Sequence, residues 1–303
     1  MKSYVNPLIL NGEKKNTSDP FVTYFDGFYY HIYSDLDGIY ISKFKELCDI
    51  ANGEITNVYP LEKKDGTDWY APELHRIGDA WYIYVSPNYG ENLHSMTVLR
   101  LKNDTPIGTY TNVGVVKGLE GRWAIDGTVF EHNDKLYYVW TFGNGTLSMQ
   151  EMLSPDSLNV DSKRMLLAKA ELPFETITET KIIEGPAVLK RGQKIHIIYS
   201  ANDSKFDEYC LGRITYSGGD ILDESNWRKH PDCIFKKTDK VFGPGHCSFT
   251  VAEDDKSKDD YIVYHANIEP NKGWQGRCVF IQKFNWNEED EPVFGEPVFG
   301  KIE

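Results

Sequence analysis

DPFVTYFDGFYYHIYS, residues 19–34, decides the fold. It reads as an entry residue, a short apolar strand, a turn with Asp and Gly, and a second strand dense in aromatic and β-branched residues, the composition that strands prefer. The same arrangement returns four times: APELHRIGDAWYIYVS (71–86), DGTVFEHNDKLYYVWT (126–141), EGPAVLKRGQKIHIIYS (184–200) and HCSFTVAEDDKSKDDYIVYHA (246–266). The opening residues of the units, Asp19, Ala71, Asp126, Glu184 and His246, follow one another at intervals of 52, 55, 58 and 62. A period of about 50 to 60 residues suits one four-stranded propeller blade with its loops. The expected architecture is therefore all-β, a five-bladed β-propeller forming a single domain over residues 1–303, with blades starting near 19, 71, 126, 184 and 246. A β-sandwich would give shorter, less regular spacings without a higher-order period. Only Glu151 to Ala170 leaves helix and strand undecided.

Composition narrows the functional classes. With 33 Lys and Arg against 46 Asp and Glu, the formal charge is −13. A polyanion takes its affinity from clustered cations, so nucleic acid is not an expected partner. No stretch nears the ~18 apolar residues that a membrane-spanning helix requires, so no membrane partner is expected. The start, MKSYVNPLILNGEKK (1–15), has an apolar run too short for a secretory signal, and a cytoplasmic location is expected. On that basis the sequons at Asn16, Asn103, Asn144 and Asn202 read as chance matches. The five cysteines, Cys48, Cys210, Cys233, Cys247 and Cys278, form no CxxC pair and read as reduced structural thiols.

The opening residues carry the chemistry. Equivalent positions on the innermost strands of a propeller converge at one end of the central channel, so Asp19, Asp126, Glu184 and His246 should share one pit. Carboxylates brought together repel and resist burial, which makes a purely structural role hard to motivate. Singly, each has a plain alternative: a turn residue at Asp19, an Asx-turn at Asp126, a solvated acid at Glu184, a hydrogen-bonded histidine at His246. Paired carboxylates flanked by aromatic faces are the equipment for hydrolysing glycosidic bonds.

At this point the whole chain resembles glycoside hydrolase family 43. The residues that carry the resemblance are SDPFVTYFDGFYYHIYS (18–34), YAPELHRIGDAWYIYV (70–85), RWAIDGTVFEHNDKLYYVW (122–140), EGPAVLKRGQKIHIIYS (184–200), GPGHCSFT (243–250) and GWQGRCVFIQKF (273–284). The resemblance implies a five-bladed propeller with the site at the channel mouth. It implies Asp19 as general base, Glu184 as general acid, and Asp126 as the carboxylate that orients the acid and raises its pKa. Arg277 matches a sugar-binding arginine. His246 matches a channel histidine that in many members binds calcium, directly or through water; a substrate-binding or plain hydrogen-bonding histidine is the alternative. Where many members have Trp before Ala-Pro, this chain has Tyr70 with Trp69 one residue earlier, and both are candidate sugar contacts. No cofactor is required by these roles, and calcium would be structural. The implied activity is inverting release of terminal α-L-arabinofuranose from arabino- or arabinoxylo-oligosaccharides, with β-1,4-xylosidase, endo-arabinanase and a non-catalytic carbohydrate-binding propeller as alternatives. The expected partner is a small oligosaccharide.

Overall fold

The computed structural model describes residues 3–10, 17–61, 68–88, 93–143, 145–251 and 260–302. Four of the repeats open with a hairpin whose turn chemistry can be read directly. Asp26-Gly27 and Asn133-Asp134 have positive φ at both central residues, as a type I′ turn demands, and Gly78 and Gly192 supply the single positive φ at the first position of a tight turn. These two-residue turns fix the registers Phe25↔Phe28, Ile77↔Ala80, His132↔Lys135 and Arg191↔Lys194. The corresponding turn of the fifth repeat, in 252–259, lies outside the described residues.

Each hairpin grows into an antiparallel blade. The first comprises Phe21–Phe25, Phe28–Asp35, Gly38–Phe44 and Glu54–Pro60; the second, Trp69–Ile77, Ala80–Pro87, Thr97–Leu101 and Thr111–Val115. The third runs Ala124–His132, Lys135–Phe142, Thr146–Ser154 and Ser157–Leu158, with Met165–Ala168 also pairing on Thr146–Ser154. The fourth is Ile183–Arg191, Lys194–Ala201, Cys210–Tyr216 and Trp227–Lys229, and the fifth Phe242–Val251, Asp260–Asn267, Arg277–Trp286 and Pro292–Val293. Each innermost strand lies against the next, and the fifth lies against the first, so the ring closes. The undecided stretch from Glu151 to Ala170 contains strands and no helix. Met165 and Leu167 point into one interblade layer and Met152 and Leu158 into the other, so strand packing prevails over an ambiguous spacing.

The aromatic density of the second strands follows from this ring. Every blade is covered on both faces, so alternate residues of one strand enter two different cores. In the second blade Trp81, Ile83 and Val85 pack toward the first, while Tyr82 and Tyr84 pack toward the third. In the fifth, Ile262 and Tyr264 face the fourth blade and Tyr261 and Val263 the first. Both chain ends are tied at the fifth blade. Tyr4–Asn6 pairs with Gly300–Ile302, and the Asn6 amide donates to the Ile281 carbonyl at 2.8 Å while its oxygen accepts from the Ile281 N–H at 3.1 Å.

Candidate active site

The innermost strands share a backbone device at their channel end. Asp19, Ala71, Asp126, Gly185 and His246 all have left-handed φ, between 40° and 57°. In the second to fifth blades this residue sits in a register shift, after Tyr70, Ile125, Glu184 and Gly245 respectively. Such bulges re-aim side chains, and four non-glycine residues held at positive φ mark a place where conformational ease has been given up. The expectation that Glu184 shares the phase of Asp19, Asp126 and His246 is corrected by one residue. Gly185 is their counterpart, and Glu184 shares its place with Tyr70 and Ile125. The reason is local: a Cβ at residue 185 would lie 3.0 Å from the His246 ring.

The four ionisable residues nevertheless meet. With Arg277 and Tyr70 they line a cavity of about 490 Å³. Asp19 Oδ1 lies 3.1 Å from His246 Nδ1, 3.2 Å from Arg277 Nη1 and 3.3 Å from His265 Nδ1. Burial alone would push its carboxyl up, but the His246 and Arg277 charges hold it well below the usual carboxylate range. His246 is pulled the other way. Burial disfavours its cation, yet Asp19 and then Asp126 and Glu184 raise it to about 10, so it is an imidazolium at neutral pH.

Across the third and fourth blades the surroundings are different. Asp126 is buried and accepts the Gly185 N–H at Oδ2 (3.1 Å). Burial raises its pKa, and the Asp19 charge adds to that. Glu184 accepts the Tyr209 hydroxyl at Oε1 (2.9 Å) and is pushed up to about 7, first by burial and then by Asp126. One cavity therefore holds a carboxylate that stays ionised and a carboxyl that retains its proton close to neutrality: it can accept a proton on one side and donate one on the other.

Tyr70 lines the cavity and donates to Asp68 Oδ2 at 2.9 Å, with its ring 5.5 Å from that of His94. Trp69, expected beside it as a sugar contact, is turned into the core between the first and second blades, 5.5 Å from the Tyr59 ring. Adjacent strand residues face opposite ways, so only one of the pair can reach the cavity. Of the other tryptophans, Trp81 and Trp140 are fully buried in interblade cores, while Trp123 lines the cavity. Three participants escaped the sequence reading. His265 and Tyr209 are not singled out by the repeat, and Trp274, 61% exposed at the cavity rim, lies within GWQGRCVFIQKF without standing out. His265 accepts the Asp19 N–H at 3.1 Å, and burial followed by the Arg277 charge pushes its pKa down to about 3, so it is neutral.

The donor set does not suit calcium bound directly by His246. Hard cations take oxygen ligands, the surrounding Asp19, Asp126 and Glu184 carboxyls hold the His246 ring protonated, and among the described residues no group of three His, Cys, Asp or Glu is placed to hold a metal.

A five-bladed propeller with this opposed pair of carboxyl groups at its channel mouth is the framework of a glycoside hydrolase, whose substrate is a carbohydrate. The chain belongs to the glycosyl hydrolases family 43, whose sequence pattern matches residues 4–292. It is similar to an extracellular exo-α-(1→5)-L-arabinofuranosidase of Streptomyces chartreusis, with 33% identity over 87% of this chain and 82% of the relative. It is 30% identical to an enzyme of the same name from Streptomyces avermitilis, over 98% of this chain and 64% of that protein. The crystal structure of an α-L-arabinofuranosidase from Lactobacillus brevis superposes with a TM-score of 0.88 at 30% identity, covering 99% of this chain and 98% of that one.

These relatives also correct the expected location. Both Streptomyces proteins are named extracellular, which overturns the cytoplasmic reading drawn from the first residues. A short apolar run at the start of a sequence is no measure of export. The chance-match reading of the sequons loses its premise with it. Asn103 is exposed, whereas Asn202 is fully buried with its amide donating to Phe174 and Glu208 carbonyls. Asn16 and Asn144 lie outside the described residues.

Proposed function

We propose that this protein is an inverting α-L-arabinofuranosidase that releases terminal α-L-arabinofuranose from arabino- or arabinoxylo-oligosaccharides. The observation that carries the reading is the opposed ionisation of Asp19 and Glu184 in one cavity. In this reading Asp19, ionised, takes a proton from a water that attacks the anomeric carbon. Glu184, protonated, gives its proton to the departing glycosidic oxygen as the C–O bond breaks. Asp126 raises the acid's pKa and, through the Gly185 N–H, steadies the backbone that carries it. Arg277 and His246 keep Asp19 charged and would bind sugar hydroxyls, with Tyr70 as an aromatic contact. The names of the similar enzymes support arabinofuranose over xylose. No step needs a metal, and His246 acts here as a cation.

Asp19 opens the first blade and Glu184 the fourth, which are not neighbours in a ring of five. Carboxyl groups with room for a water between them, about 6.5 to 9.5 Å apart, invert the anomeric centre. The test is to incubate the protein with 4-nitrophenyl α-L-arabinofuranoside and β-D-xyloside and to follow the first product by proton NMR before mutarotation. Preferential hydrolysis of the arabinofuranoside with β-L-arabinose appearing first is expected. Faster xyloside hydrolysis would move the substrate to xylose, and release of the α anomer would make Asp19 a nucleophile.

A further inference from the structure

We propose that Tyr209 is a positioning residue for the acid: it occupies Oε1 of Glu184, so that the transferable proton resides on Oε2, and it strengthens the acid against the influence of Asp126. The proposal rests on the reading of Glu184 as general acid.

Tyr209 immediately precedes the strand Cys210–Tyr216 and is 1% exposed. Its ring is held from two sides. It lies parallel to the His265 ring, with centroids 5.8 Å apart and an interplanar angle of 3°, and it fills the space a Cβ would take at Gly245. A ring so confined delivers its hydroxyl to one place. The direction of the hydrogen bonds there is set by what lies upstream. The His246 N–H donates to Ser200 Oγ at 2.7 Å, which leaves the Ser200 hydrogen for the Tyr209 oxygen, and the Tyr209 hydrogen goes to Glu184 Oε1 at 2.9 Å. Tyr209 keeps its own proton, since burial and the neighbouring Glu184 raise its pKa well above the usual value. An oxygen that already accepts a hydrogen bond along this line is not the one that carries the acid proton. Oε2 is.

The same bond tunes the acid. A donor to a carboxyl favours the charged form, so Tyr209 works against burial and Asp126, the two influences that hold Glu184 protonated. The other groups facing Glu184 are His246 from the fifth blade, which also lowers it, and Asp19 from the first, which raises it. Arg277 and Asp203 line the same cavity.

The test is the pH dependence of kcat/KM for Tyr209→Phe, using 4-nitrophenyl α-L-arabinofuranoside and an alkyl arabinofuranoside with a poor leaving group. Loss of one hydrogen bond to the charged form should move the alkaline limb up by about one pH unit and leave the acidic limb in place. The rate on the alkyl substrate should fall about tenfold, because a weaker and less oriented acid matters most where the leaving group needs a proton. In a Glu184→Gln background, Tyr209→Phe should change little. Ser200→Ala should give a smaller upward shift, and it carries the test should Tyr209→Phe not fold. An unmoved alkaline limb, or an equal loss in the Glu184→Gln background, overturns the proposal. If Glu184→Gln itself keeps the alkaline limb, it is the acid assignment that fails.

Discussion

The two sides of the cavity hold the same functional group in opposite states. On the first-blade side Asp19 is ringed by nitrogen: an imidazolium, a guanidinium, and a neutral histidine that accepts its backbone N–H. On the side of the third and fourth blades, Asp126 and Glu184 have one backbone N–H and one phenol as direct partners, and the His246 charge lowers both without offsetting their burial. Both sides are buried, so desolvation pushes all three carboxyls up. The sign of the outcome is decided by whether cations stand within about 4 Å, where attraction exceeds the penalty of leaving water. Burial thus sets the stakes and neighbours set the direction.

The largest expected effect comes from removing the ionised side. Asp19→Asn should lower kcat by about 2 to 4 orders of magnitude on every substrate, the scale of general-base assistance, while the fold survives a nearly isosteric change. Glu184→Gln should match that loss only on substrates with poor leaving groups and leave a 4-nitrophenyl glycoside much less affected, because 4-nitrophenolate departs without a proton. Steady-state kinetics on both substrate types decide the matter. Equal losses for Glu184→Gln on the two would remove the difference between the two sides.

This division was partly legible in the sequence, and the reasons are local. Turns such as Asp26-Gly27 and Asn133-Asp134 announce hairpins because only certain residues tolerate their φ angles, and five strand–turn–strand units at one period announce the ring. Asp19, Asp126 and His246 stood out because each opens its unit with an ionisable side chain at one phase of the repeat. What stayed hidden depends on side-chain direction and on distant strands. The bulge shifts parity by one residue, so the sequence could not say that Glu184 precedes the left-handed position, nor that Tyr70 faces the cavity and Trp69 the core. His265 sits among aromatic strand residues and Tyr209 just ahead of a strand, and neither differs from its neighbours until the ring places it beside Asp19 or Glu184.

A middle-sized effect should follow from making the acidic side less negative. Asp126→Asn keeps an oxygen to accept the Gly185 N–H and removes the charge that raises Glu184. The alkaline limb of kcat/KM, expected near the Glu184 value of about 7, should move down by about one pH unit, and activity at neutral pH should fall by roughly fivefold. The shift is opposite in sign to that expected for Tyr209→Phe. A limb that stays where it is would mean that burial alone raises Glu184.

The smallest effect concerns stability, where the two sides respond to pH in different windows. Asp19 is depressed below its usual 3.8, so its contribution is present above that value and is lost only as pH falls through its folded pKa. His246, raised from 6.5 to about 10, contributes fully below 6.5 and loses that contribution as pH rises toward 10. Glu184 is raised from 4.5 to about 7: the folded protein gains from its neutral form below 4.5, and that gain disappears as pH rises through 7. Above pH 7 the folded state therefore carries a buried charge that a glutamine would not have. Glu184→Gln should unfold at nearly the same temperature as the parent at pH 4.5, then exceed it progressively, by about 5 °C at pH 8, which corresponds to on the order of 3 kcal/mol. Thermal unfolding of the pair across this range checks it. A difference that stays constant with pH would show that Glu184 titrates in the folded protein as it does in the unfolded chain, and the contrast between the two sides of the cavity would then rest on Asp19 alone.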